Sequence, residues 1–409
     1  MRVLLTLHHH LDPNLGAPGA TLALGDALQA QGCTVEYWGF ERAFPEHHAG
    51  WGVSHSIRFP QRTASFLRRY ARDFDVIDAS TGDAWLWAAQ GRPGGGSCAL
   101  VTRSHGLEHT ADQQVRAEAR TTGRRLSWKY PLYHGGWRLY EVASSLRNAD
   151  ACILLNEADR DYTQSVLKVP AARLFISPMG VADYFFGAAS RPLARRAPDL
   201  AAGEPLRMAY LSSWIPRKGS LVLAEALRML AERGLTFELT AFGTGSADEK
   251  TVQADFATSV RSRVHVVPRF KHTELPGLLD GMHVLLFPSL SEGFSRALVE
   301  AMACGLAPIA TAVGGAPAVL REGENGLLIP PGDAAALADA VSRLVDGGRV
   351  ALDTMRERAR ETAGEYRWDA IARQTIDVYE AARRTRGVVH AGTSLSEGVR
   401  NSHEEAATR

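Results

Sequence analysis

The chain has 409 residues, too many for one ordinary core, and its 45% hydrophobic and 22% charged content suits a globular protein of two domains. A formal net charge of +1 excludes a global electrostatic pull toward nucleic acid. Four cysteines (Cys33, Cys98, Cys152 and Cys304) form no C-x-x-C pair, which excludes a disulfide framework and points to a reducing compartment.

The chain opens on "RVLLTL", a strand with too short an apolar run for a signal peptide. After it, "HHHLDPNLGAPGATLA" places Gly16 and Gly19 in a loop before a helix that stops at Gly32. Further strands are predicted at "TVEYW", "DVIDAS", "CALVTRS", "DACILL" and "RLFIS", with helical patterns between several of them. The second half repeats the scheme in "LRMAYL", "FELTAF", "VHVVP", "HVLLFPS", "APIATAV" and "GLLIPP". Such alternation implies parallel sheets built from right-handed crossovers, hence two doubly wound α/β domains.

The expected division is a first domain over 1–185, an Ala/Pro/Arg-rich linker over 186–205 and a second domain over 206–365. An amphipathic helix over 366–384 follows, free to return to the first domain, and then a polar tail over 385–409 that reads as disordered. No run approaches the roughly 18 apolar residues of a membrane span. The expected location is the cytoplasm, with the inner face of the membrane within reach.

In open α/β sheets the loops after the carboxyl ends of the strands bind ligands. One of them, "SEGFSRALVEAMACG", carries Glu292 in the loop and Glu300 in the following helix, for which Ser295 is a good N-cap. The amides of Gly293, Phe294 and Ser295 lie at the positive end of that helix, where anions bind. Glu300 is surrounded by Ala297, Leu298, Val299, Ala301 and Met302, a helix with little face to give to solvent.

The segment "PSLSEGFSRALVEAMACGLAPIATAVGGAPAVLREGENGLLIPPGD" resembles the E-x7-E region of the family 4 glycosyltransferases, the retaining GT-B group. "ISPMGVADYFF", "NADACILLNEADRDYT", "YLSSWIPRKGSLVLAEAL" and "HTELPGLLDGMHVLLFPS" extend the likeness over about residues 1–385. The resemblance implies a GT-B fold, two Rossmann-like domains facing each other across a cleft. It also implies transfer of a sugar from a nucleotide-diphosphate sugar to a hydroxyl of a glycan, a lipid-linked acceptor or a small molecule. In the family's pattern Glu292 lies against the transferred sugar and Glu300 holds the ribose hydroxyls. Lys218, in "PRKG", grips the diphosphate as charge develops on the leaving group.

Where the family carries an arginine five residues before this lysine, the chain has Ser213, so Arg217 is the substitute considered. His105 in "TRSHGLEH" matches a histidine near the sugar, with His109 a weaker candidate. Arg269 and Phe270 match the loop that frames the base, and Gly16 the loop that approaches the donor phosphates. The family needs no metal or other cofactor, and the three adjacent histidines at 8–10 are not expected to converge on one ion.

Two basic, aromatic stretches, "RFPQRTASFLRRYAR" and "RAEARTTGRRLSWKYPLYHGGWRLY", read first as solvated helix faces and second as an acceptor or membrane-surface patch. A nucleotide-sugar epimerase or phosphorylase of similar architecture, and a non-catalytic nucleotide-sugar-binding subunit, stay open as alternatives.

Overall fold

The computed structural model describes residues 1–46, 52–122, 125–187 and 203–406. The chain divides into two units, one of Met1–Ser177 with Ile371–Arg409 and the other of Pro178–Ala370. Each is built on one six-stranded sheet, and the twelve strands are those expected.

In the first unit the strands are β1 (Arg2–Thr6), β2 (Thr34–Trp38), β3 (Val76–Ser80), β4 (Ala99–Arg103), β5 (Ala151–Leu154) and β6 (Leu174–Ile176). Their order is β2-β1-β3-β4-β5-β6 and every pairing is parallel. β3, β4 and β5 are buried along their whole length. This is why they do not alternate buried with exposed positions, although β3 and β4 also bury the charged Asp78 and Arg103.

The second unit holds β7 (Leu206–Leu211), β8 (Phe237–Phe242), β9 (Val264–Val267), β10 (Val284–Phe287), β11 (Ala307–Thr311) and β12 (Leu327–Ile329), ordered β12-β11-β10-β7-β8-β9 and again all parallel. Chain direction across this sheet reverses between β7 and β10, which pair through Val284 with Met208. A doubly wound sheet opens its binding crevice at such a reversal, so the loops after β7 and β10 should carry the chemistry of this unit. The corresponding reversal in the first unit falls between β1 and β3.

The observed boundary lies ahead of the expected linker. Once β6 ends, the chain packs on the second unit: the Val181 amide donates to the Tyr366 carbonyl at 2.7 Å, and Phe185 and Phe186 are buried. Of the expected linker, residues 188–202 lie outside the described residues.

The closing helix, Trp368–Ala406, returns to the first unit. Ile371, Ala372, Val378, Tyr379 and Ala382 form its buried face, and the Tyr379 hydroxyl donates to Asp78 Oδ2 on β3 at 2.6 Å. Arg103 on β4 grips the same carboxylate through Nε and Nη2 at 3.0 and 2.6 Å. Past Thr385, where the polar tail was expected to begin, the backbone continues as helix to Ala406. No proline interrupts it, and an anchored helix propagates without paying again for nucleation.

Candidate active site

The loop after β7 ends in a single 3-10 turn, Pro216–Lys218, followed by Gly219 and the helix Ser220–Glu232. Gly219 has φ +75°, and a Cβ there would come within 2.0 Å of the Pro288 carbonyl oxygen. Only glycine therefore lets the β7 loop lie against the β10 loop. The two are joined further by Leu290, whose amide donates to the Arg217 carbonyl at 2.9 Å.

This apposition brings Lys218 to Glu292. Lys218 Nζ donates to Glu292 Oε1 at 2.5 Å, with the side chains only 17% and 10% exposed. Arg217 is exposed and gives Nη1 to the Ser291 carbonyl at 3.1 Å, bracing the loop that carries Glu292. Ser213 is also exposed, and its carbonyl accepts from the Tyr210 hydroxyl at 2.8 Å.

Beyond Glu292, the Gly293 carbonyl accepts from the Gly315 amide at 2.9 Å, and Phe294 is buried against Tyr366. At Gly314, with φ +56°, a Cβ would meet the Glu292 carbonyl oxygen at 2.3 Å, so the glycine pair after β11 shapes this loop from behind. Ser295 caps the helix Arg296–Ala303 as expected, its hydroxyl accepting from the Leu298 amide at 3.3 Å.

Glu300 faces inward from that helix and is 4% exposed. Arg296, one turn earlier, donates Nε to Glu300 Oε1 at 2.7 Å, and His272 Nε2 lies 2.8 Å from the same oxygen. The Tyr184 hydroxyl sits 2.6 Å from His272 Nδ1. Burial pushes the Glu300 carboxyl up, but the Arg296 charge and the His272 hydrogen bond outweigh it and hold the group below its ordinary value. The result is a buried ionised carboxylate held in place by two basic side chains. Phe270, after β9, lies over Gly243 after β8, while Arg269 beside it is exposed.

Gly16 and His105 belong to the first unit. The helix there begins at Gly16 itself and runs to Ala30, so Gly19 lies one turn inside rather than ahead of it. Pro18 is tolerated because the first turn of a helix has no amide partners to lose. His105 follows β4, and its Nδ1 is buried without a hydrogen-bond partner among the described residues. Burial, then Arg103, and then His8 and His9 push it down to about 3. His9 is lowered to about 4, chiefly by burial. The other two histidines of the triplet turn to separate acids: His8 Nδ1 is 2.7 Å from Asp83 Oδ1, and His10 Nδ1 is 2.8 Å from Glu41 Oε1. His8 and Asp83 stand after β1 and β3, at the reversal point of this sheet. His109 is 8% exposed and packs on Tyr162, which makes it a core side chain.

A histidine held neutral in the fold costs stability in acid. Its contribution is complete above the unfolded value near 6.5 and falls as pH drops from there toward the folded value. For His105 and His9 that window runs from 6.5 down to about 3 and 4. Urea unfolding at pH 5 and pH 7 should show His105→Gln flattening the wild-type decline by up to about 1.4 kcal/mol per pH unit. A decline as steep in the variant as in the wild type would mean that His105 is not desolvated.

All four cysteines are free, and burial pushes Cys98, Cys152 and Cys304 up to about 12. Arg58, Arg62, Arg68 and Arg69 of the first basic stretch lie on the exposed face of the helix Val53–Tyr70, the solvated face expected. The second stretch differs: Trp128, Leu132, Trp137 and Tyr140 are 75%, 65%, 45% and 54% exposed. No helix among the described residues is long and apolar enough to cross a membrane.

Two family models match the chain in succession. The model described as Glycosyltransferase Family 4 covers residues 16–183, and the one described as Glycosyl transferases group 1 covers 206–347. An MMP alpha-(1->4)-mannosyltransferase of Mycolicibacterium hassiacum is 28% identical over 79% of this chain and 74% of its own length. A D-inositol 3-phosphate glycosyltransferase of Mycobacterium bovis is 28% identical over 64% of this chain, which spans 60% of that relative. Among solved structures, Anabaena Alr3699/HepE in complex with UDP aligns with a TM-score of 0.66 and 18% identity, covering 93% of this chain and 100% of that one.

Proposed function

The chain belongs to glycosyltransferase family 4, and from that premise we propose that it moves a sugar from a nucleotide-diphosphate sugar to an acceptor hydroxyl with retention of anomeric configuration. The observation that carries the reading is the pairing of Lys218 with Glu292 at the point where the second sheet reverses direction. One loop apposition thus presents a cation and a carboxylate side by side, and the helix that follows buries a second carboxylate, Glu300.

In this reading Glu300 accepts hydrogen bonds from the ribose hydroxyls, with Arg296 and His272 fixing its position. Charge-assisted hydrogen bonds of this kind are strong and geometrically demanding. Lys218 and the start of the Arg296–Ala303 helix, at Gly293, Phe294 and Ser295, receive the diphosphate. Glu292 holds hydroxyls of the sugar. Phe270 and Arg269 are assigned to the base, and Gly16 keeps the donor-phosphate role that the family pattern gives it. Arg217 acts chiefly as a brace for the Glu292 loop, so Lys218 carries more of the leaving group where Ser213 replaces an arginine. His105, neutral and with an unpartnered Nδ1, suits a hydrogen bond with a sugar hydroxyl rather than a role as a charged acid.

The bond between the anomeric carbon and the diphosphate oxygen breaks, and its electron pair leaves with the phosphate. The acceptor oxygen bonds to the same face of the carbon, and its proton passes to the departing phosphate oxygen. Lys218 supplies the compensating charge, and no metal or other cofactor is assigned a role.

The exposed Trp128, Trp137 and Tyr140, with Lys129 over the Trp128 ring, support a peripheral contact with a membrane surface and a lipid-linked acceptor. A panel of nucleotide-sugars tests the donor assignment. Release of nucleoside diphosphate from one of them, faster with acceptor present, is expected. Binding without release would favour a non-catalytic subunit, and interconversion of the sugar without transfer would favour an epimerase.

A further inference from the structure

The amino ends of the first unit's strands, opposite the loops that carry His105, hold a second charged cluster. A cavity of about 300 Å³ there is lined by Arg92, Arg147, Asp150, Arg173 and Arg386 among others. Arg92 lies just before β4, Asp150 immediately before β5 and Arg173 immediately before β6, while Arg386 comes from the closing helix.

Among the described residues, the lining thus sets four guanidinium groups around a single carboxylate. Arg92 and Asp150 pair at 2.5 Å, and each is under 10% exposed. Arg147 gives Nε to the Leu167 carbonyl at 2.9 Å, and Arg173 gives Nη1 to the Ala149 carbonyl at the same distance. Arg386 gives Nη2 to the Gly96 carbonyl at 3.2 Å, but its Nε is buried without a hydrogen-bond partner among the described residues. Asp75, just before β3, is paired with Arg383 at 3.6 Å and accepts from the Arg2 amide. Burial and the Arg92 charge lower the Arg386 pKa, so its protonated form is held at a cost.

Bonds to carbonyls satisfy donors without neutralising charge. A buried guanidinium nitrogen with no acceptor is an unmet demand, and fellow cations around it raise that demand. A group with several acceptor oxygens and two negative charges meets both needs, and guanidinium forks match phosphate geometry well. We propose that this cavity binds a phosphate dianion, free or as the ester of a small metabolite, at the amino end of the first sheet. Such a ligand ties the closing helix to the strand starts, so its binding is felt in the stability of the first unit.

Thermal unfolding of the full chain tests this, with inorganic phosphate added against sodium chloride at equal ionic strength. At about ten times its dissociation constant, phosphate should raise the wild-type midpoint by about 2 °C. Lys218→Ala should keep this rise, since it alters only the transfer loops, and Arg386→Gln should lose it. Arg147→Gln serves as the second cavity variant should Arg386→Gln fold poorly. No rise in the wild type, or a rise undiminished in the cavity variants, overturns the site. Glucose 6-phosphate forms the other arm: a larger rise than with inorganic phosphate assigns the ester, and an equal or smaller one assigns the free ion. The outcome does not depend on what the transfer loops bind.

Discussion

Lys218→Ala is expected to lower turnover by about 10²–10³-fold, the loss typical when one preorganised group facing a developing anion is removed. Donor binding should suffer less, because the charge on the departing diphosphate grows mainly as the glycosidic bond breaks. The geometry adds a second consequence. Glu292 is 2.5 Å from Lys218 and only 10% exposed, so the variant leaves a largely buried carboxylate without its cation. Under the proposed role of Glu292, the sugar hydroxyls should then be misplaced. Steady-state kinetics with direct measurement of donor binding separates these effects. Equal losses in affinity and turnover would show that Lys218 binds ground and transition states alike, and would remove its special part in the reaction.

Glu300→Gln is expected to weaken binding of the nucleoside diphosphate by about 1.5–3 kcal/mol, the range for hydrogen bonds to a charged group. That corresponds to an affinity loss of roughly 10- to 150-fold. The substitution also deprives Arg296 and His272 of the carboxylate between them, so some loss of stability accompanies it. Arg296→Ala distinguishes the two contributions, since it removes one of the two partners of Glu300 while keeping the carboxylate. Calorimetric titration of the folded proteins is the measurement. Unchanged affinity in Glu300→Gln would place the ribose elsewhere.

Much of this architecture was legible because buried parallel strands have a plain signature. "DACILL" and "HVLLFPS" contain apolar strands buried along their whole length because helices cover both faces, and such runs alternating with helices imply only a few topologies. Glu292 and Glu300 were legible as a pair because their spacing spans one loop and one turn of helix, with Ser295 marking where the loop ends. Arg296 was missed although it precedes Glu300 by four residues, a spacing that places two side chains on one helix face. His272 and Tyr184 were out of reach of any such rule. His272 meets Glu300, and Tyr184 meets His272, only through the tertiary fold, 28 and 116 positions from Glu300 in the chain.

Other differences have equally local causes. The expected linker began near 186 because "AASRPLARRAPDL" changes composition there, but the chain crosses to the second unit earlier, after Ser177. Buried Val181, Phe185 and Phe186 mark that crossing, and apolar residues at a strand end do not say which core they enter. Arg217 had no pattern of its own. Its bond to the Ser291 carbonyl follows from the apposition of the β7 and β10 loops, which rests on a glycine at 219.

The central claim is front-face transfer at the Lys218–Glu292 site, with the acceptor proton taken by the leaving phosphate. The measurement that bears on it most directly is proton NMR of the anomeric coupling in the product formed from an α-linked nucleotide-sugar. Front-face transfer gives an α-linked product; a β-linked product would rule it out.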